Sequence, residues 1–287
     1  MSNQIKLSER CRAPTEDRGH GLHTLAPDLA YLRLSIVNVV FYGRSTARDG
    51  EWVLIDTGLA TSASSIEDCA ARRFGKQVRP AAIILTHGHF DHVGTAKELA
   101  DKWDVPVYAH PLEHPYLDGS TSYPPADPWV GGGVMALMSP LYPRGPVDLG
   151  RRLASMPEDG SVPAMPGWRW LHTPGHAPGH ISLWREEDRA LIAGDAVITT
   201  GQESAYEVMT QELEMHGPPR YFTPDWTAAG ESVARLAALG PKLLITGHGA
   251  PVAGSEMRQA VNLLARDFAK IAVPPGDDHD RTAAENF

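Results

Sequence analysis

The chain predicts mixed β-sheets covered by helices, a layered α/β architecture, on two observations. Short apolar or β-branched runs bounded by turns recur in both halves, and stretches with helical spacing fall between them without any short-period repeat. Residues 1–25 mix charge, Pro14 and glycines without periodicity, an arm that packs elsewhere or stays mobile. Tyr31–Tyr42 is rich in β-branched and aromatic residues, and with Trp52–Ile55 it reads as an antiparallel hairpin. Thr61–Phe74 opens on Thr/Ser capping residues, carries Ile66, Ala70 and Phe74 at helical spacing and stops at Gly75. Ala81–Leu85 is a continuous apolar run, the pattern of a buried central strand, followed by a helix over His92–Trp103 and a strand at Val105–Ala109.

From Pro111 to Pro166 the composition changes to prolines, glycines and isolated aromatics, which predicts a lid-like insertion with a helical piece around Gly133–Met138. Regular pattern returns as three short strands, Trp168–His172, Ile181–Trp184 and Ala190–Ala193. A helix over Thr223–Leu239, capped by Thr223 with Pro224 first, leads to a buried strand at Leu243–Thr246 and a closing amphipathic helix at Glu256–Ile271. The domain thus runs over 26–273, with a disordered tail at 274–287 rich in Asp277, Asp278 and Asp280.

Charge and cysteine content narrow the function classes. The 26 Lys and Arg stand against 35 Asp and Glu, a net charge of −9, so the basic surplus of a nucleic-acid binder is absent. Cys11 and Cys69 cannot build a disulfide framework, and MSNQIKLSER has no apolar signal-peptide core, which together predict a reduced, cytoplasmic protein. The apolar run Val130–Leu141 is broken by glycines and falls well short of the ~20 residues that span a bilayer, so no membrane partner is expected.

The 13 histidines include clusters beside aspartate. His87, His89, Asp91 and His92 follow the end of the Ala81–Leu85 run, where a loop can aim side chains into one cavity. Imidazole with carboxylate is the ligand set that suits Zn²⁺ and similar divalent ions. Three further candidates, His176, Asp195 and His248, each follow a glycine beyond an apolar run. Seven ligands exceed one site and imply two metal ions.

The His-x-His-x-Asp-His run, the Gly-His, Gly-Asp and Gly-His stations, and Val53–Gly58 together resemble the metallo-β-lactamase-fold hydrolases over about Leu29 to Gly249. The resemblance implies an α+β, four-layer αβ/βα sandwich of two mixed β-sheets flanked by helices. It assigns His87, His89 and His176 to a first metal, Asp91, His92 and His248 to a second, and Asp195 to a bridge between them. The implied cofactors are two divalent ions per chain, Zn²⁺ with Mn²⁺ or Fe²⁺ as alternatives. Two such cations lower the pKa of a shared water, so hydroxide exists at neutral pH. Asp91 then stands as the catalytic residue that holds the nucleophile and passes its proton to the leaving group. Asp56 reads as a residue orienting a ligand histidine or its loop.

That family covers many reactions, and fold does not choose among them. The lack of Arg or Lys in Ala196–Gln202 disfavours a glutathione thioester. Trp129, Tyr123, Met135 and Met138 suit an apolar mouth. A small-molecule carbonyl ester, lactone or thioester is expected, with β-lactam hydrolysis as a side activity. A mononuclear iron persulfide dioxygenase is the alternative. The arm and the lid aromatics equally suit a homodimer contact. His180, beside His176, is the alternative ligand, and His110-Pro111-Leu112-Glu113-His114 fits the inverted zinc-protease spacing, but Pro115 denies it a regular helix.

Overall fold

More and shorter strands form than the sequence suggests, because several turns carry no glycine signal. The computed structural model describes residues 4–17, 19, 21–126, 137–202 and 210–274. Its strands are β1 (Ile5–Lys6), β2 (Glu16–Asp17), β3 (Leu22–Ala26), β4 (Leu29–Leu34), β5 (Val37–Tyr42), β6 (Val53–Ile55), β7 (Ala82–Ile84), β8 (Val107–Ala109) and β9 (Leu153–Ser155). They are followed by β10 (Trp168–His172), β11 (Ile181–Arg185), β12 (Ala190–Gly194), β13 (Glu214–Met215), β14 (Leu243–Thr246) and β15 (Val252–Ala253). The chain divides into two compact units, one of Pro14–Pro124 with Pro143–Trp170, the other of Met1–Ala13, Pro125–Tyr142 and Leu171–Phe287.

In the unit that begins at Pro14, β2 to β9 form one mixed sheet in chain order, antiparallel as far as β6 and parallel from β6 to β9. Tyr31–Tyr42 is two strands rather than one. Ser35 takes a left-handed φ of 56°, and the chain reverses between the paired Leu34 and Val37. The expected pairing with Val53–Ile55 follows from the second of these strands, with Val40 opposite Ile55. Helix α1 (Ala63–Phe74) buries Ile66, Ala70 and Phe74 as its spacing predicts, with Phe74 stacked on Trp52 at 4.5 Å between ring centres.

The helix expected over His92–Trp103 is split into α2 (Phe90–Val93) and α3 (Ala96–Trp103). A side chain on Gly94 would meet the Leu59 and Ala60 backbone at 2.3 Å, and the Thr95 hydroxyl donates to Thr57 O at 2.6 Å, so the break is held by the loop after β6. The insertion is less irregular than its composition implies. It contains α4 (His114–Leu117) and β9, and its two stems are laced together by Val147 N to Tyr116 O at 3.0 Å and Leu149 N to Leu117 O at 2.9 Å. The helical piece expected at Gly133–Met138 falls mostly outside the described residues, as do Trp129, Met135 and the tail beyond 274.

In the other unit the strand order is β10-β11-β12-β14-β15, with β12 and β14 parallel, β11 antiparallel to β12 and β15 antiparallel to β14. Helices α5 (Trp226–Ala238), α6 (Gly254–Arg266) and α7 (Phe268–Ile271) pack Val233, Leu236, Met257 and Leu264 with Leu244 from the sheet in one apolar core. α5 starts three residues later than expected, because Asp225, and not Thr223, caps Ala228 N at 2.9 Å. The described residues of 1–25 pack elsewhere, one of the two expectations for this segment. β1 pairs with β13 in this unit, whereas β2 and β3 join the sheet of the first. Each unit is a mixed sheet with helices packed on it, the α+β class.

Candidate metal centre

Two groups of buried candidate ligand residues form, one in each unit. The first rests on Asp56, which leaves β6 in a left-handed conformation at φ 58° and is only 3% exposed. Its Oδ1 accepts from Thr86 N at 2.8 Å, and its Oδ2 accepts from both the Thr86 hydroxyl and His92 Nδ1 at 2.8 Å. Because the Thr86 proton is committed to Asp56, Thr86 Oγ1 accepts from His87 Nδ1 at 3.1 Å. One carboxylate thereby sets the tautomer of both His87 and His92 and leaves Nε2 free of a proton on each, the nitrogen able to ligate a metal. The His87 ring lies 4.6 Å from that of His89 and 4.2 Å from that of His92, and Asp91 is buried in the first turn of α2. Asp56 thus holds both the His92 ring and the start of the motif loop at Thr86.

The second group sits at strand ends. His176 follows Gly175, whose φ is 130° and whose missing side chain would meet Ala229 N at 2.4 Å, so only glycine allows α5 this close. The Thr223 hydroxyl donates to Pro219 O at 2.7 Å and accepts from His176 Nδ1 at 3.2 Å. His176 is therefore set in the same tautomer as His87 and His92. Asp195 Oδ2 lies 3.0 Å from His248 Nε2 and 3.5 Å from His176 Nε2, all three side chains being buried. His180 is not a ligand. Its Nε2 accepts from the Asp195 amide at 2.9 Å and its Nδ1 meets Thr173 Oγ1 at 2.8 Å, so both ring nitrogens are engaged.

His110 caps the turn at Pro111–Glu113 through Leu112 N. Tyr123 is not part of an apolar mouth but is buried against the motif loop, whereas Met138 is 45% exposed. Three roles escape sequence reading. Thr86 and Thr223 read as a strand end and a helix cap, yet each accepts from a histidine Nδ1. Glu113, passed over with its motif, accepts from Gly88 N at 2.8 Å. The proximity of Thr86 to His87 is the one signal available beforehand. Burial raises the thiol pKa of Cys11 and Cys69, and neither cysteine is in a disulfide, which agrees with the weak support for thiolate chemistry.

Residues 32–248 match the family described as the metallo-β-lactamase superfamily. The chain belongs to the metallo-β-lactamase superfamily. Among similar proteins, the probable metallo-hydrolase YflN of Bacillus subtilis is 48% identical over 240 residues, 84% of this chain and 90% of that one. A structure of TTHA1623 in a di-iron-bound form is 26% identical with a TM-score of 0.50, covering 82% of this chain and 96% of that one. A β-lactamase domain protein from Burkholderia ambifaria shares the fold at a TM-score of 0.61 and 21% identity, over 91% of this chain and 81% of that one. Within this superfamily member, the donor chemistry fits divalent metal. His87, His89, Asp91, His92, His176, Asp195 and His248 are all buried and offer imidazole or carboxylate ligand atoms, and three of the imidazoles have Nδ1 committed to a protein acceptor.

Proposed function

We propose that this metal-dependent hydrolase holds two divalent ions, zinc being the best match to its ligands, and cleaves a small carbonyl ester, a lactone or thioester. His87, His89 and His176 would hold one ion, Asp91, His92 and His248 the other, and the Asp195 carboxylate would serve both. The observation that carries this reading is Asp195 Oδ2, a single carboxylate oxygen near the Nε2 atoms of His176 and His248, the imidazoles assigned to different ions. Two divalent ions held there would supply hydroxide at neutral pH and polarise a substrate carbonyl.

The chain's own residues do the rest. Asp91, a buried carboxylate between ligand histidines in sequence, orients the attacking water and moves its proton to the leaving group. Asp56 and Thr223 fix the imidazoles so that no reorganisation accompanies reaction. An apolar substrate is supported by the aromatic group of Tyr142, Tyr221 and Phe222, which adjoins Thr223 in sequence. A cytoplasmic location agrees with two cysteines outside any disulfide; among the described residues no helix is long and apolar enough to cross a membrane.

Elemental analysis of protein purified without added metal, with an aryl ester and a lactone assayed on the same sample, tests this. About two zinc or manganese per chain with chelator-sensitive hydrolysis is expected. One iron per chain with oxygen uptake on a persulfide and no hydrolysis overturns it.

A further inference from the structure

The His87-Gly88-His89 segment is held from behind by residues of the insertion. The Gly88 amide donates to Glu113 Oε2 at 2.8 Å and to the Tyr123 hydroxyl oxygen at 3.0 Å, and the Tyr123 hydroxyl donates in turn to the same Glu113 oxygen. Both side chains are buried, Glu113 at 1% exposure and Tyr123 at 5%. The Tyr123 ring lies against the His89 ring at 4.5 Å between centres and is backed by Tyr116, stacked at 3.8 Å. A side chain on Gly88 would stand 2.7 Å from the Tyr123 oxygen, so the pair and the glycine fit only each other. Tyr123 is itself fixed at both backbone groups, since Tyr123 N donates to Arg144 O and Arg144 Nη1 donates to Tyr123 O, each at 3.0 Å.

We propose that Glu113 and Tyr123 are a positioning pair that presets the His87-Gly88-His89 loop for metal, an inference that rests on the metal-site reading above. A buried carboxylate is tolerated only where its donors are supplied, and here two of them are the amide lying between two ligand histidines and the phenol packed on the second. The contact reaches the ligands through one peptide unit. Loss of either partner leaves the loop free to sample other conformations before a metal arrives, and the affinity falls by the fraction of time the loop is correctly shaped.

The test is metal affinity, read by competition with a chromophoric chelator for Zn²⁺ on wild-type, Tyr123→Phe and Glu113→Gln protein. Circular dichroism and a melting curve run alongside. Tyr123→Phe keeps the ring and removes only the hydroxyl; it is expected to stay folded and to bind its weaker zinc about 10- to 100-fold less tightly. Leu149→Val, a conservative core lesion in the same insertion stem, is expected to lower the melting temperature while leaving affinity at the wild-type value. If Tyr123→Phe binds two zinc ions as tightly as wild type, the pairing role is overturned and the metal-site reading stands. If wild type itself binds no zinc, both fall together. Should Glu113→Gln fail to fold, Tyr123→Phe alone decides.

Discussion

The Asp195 amide donates to His180 Nε2 at 2.9 Å, so a histidine that cannot bind metal holds the backbone of the proposed bridging carboxylate. His180 Nδ1 completes the arrangement by donating to Thr173 Oγ1, which meets Ser182 Oγ at 3.0 Å; that hydroxyl donates to Ala193 O at 3.0 Å. His180→Ala removes the acceptor of a buried amide. The expected result is a loss of about 1–3 kcal/mol of stability in metal-free protein, measured by chemical denaturation. Metal content should fall with it, although no ligand has been removed.

Asp56→Asn keeps the size of the side chain but replaces one acceptor oxygen with a donor, which opposes either the Thr86 amide or the His92 Nδ1 proton. Metal affinity is expected to drop about 10- to 100-fold. Chelator competition on folded protein measures it, and unchanged affinity would exclude Asp56 as the group that orients His87 and His92.

Asp195→Asn should lose metal and activity together, because a neutral amide is a poor bridging ligand. His110→Ala should leave both at wild-type values, since His110 caps a turn and lies edge-on to Trp170 at 5.5 Å. Elemental analysis and an ester assay on both variants separate the two expectations.

Glu214 accepts a hydrogen bond from His216 at 3.2 Å, and that bond is the largest cause of a carboxyl pKa below its ordinary value. A depressed folded-state pKa contributes stability that is present above the unfolded value of 4.5 and is lost as pH falls through the folded one. Glu214→Gln should therefore be less stable than wild type at pH 7 by about 0.5–1 kcal/mol, the range of one ordinary hydrogen bond. The two proteins should converge at more acidic pH than 4.5, as read by urea denaturation.

Legibility in the sequence followed the length and chemistry of each signal. α1, the Leu243–Thr246 strand and the dense His87–His92 cluster could be read because each is a local pattern of spacing or composition. Ser35 could not, because a two-residue turn without glycine looks like the middle of a long β-branched run. The split between α2 and α3 is likewise hidden, for it depends on the approach of the Leu59–Ala60 backbone from more than 30 residues away. The seven candidate ligands were nameable as residue types at strand ends. Their supports were not, since a hydroxyl such as Thr223 or a phenol such as Tyr123 acquires its role only from its neighbour in space.

The pairing of β1 with β13 sets a schedule for synthesis. Ser8 donates to Glu256 through both its amide and its hydroxyl, 248 positions apart. At ribosomal rates of roughly 5–20 residues per second, residues 5–12 wait on the order of ten to fifty seconds for the partners that cover them. The sheet from β2 to β9, by contrast, joins each strand to the one made just before it and can assemble as it emerges. Leu7 and Cys11, buried in the finished molecule, thus stay exposed until the segments around Leu213 and Glu256 have been made.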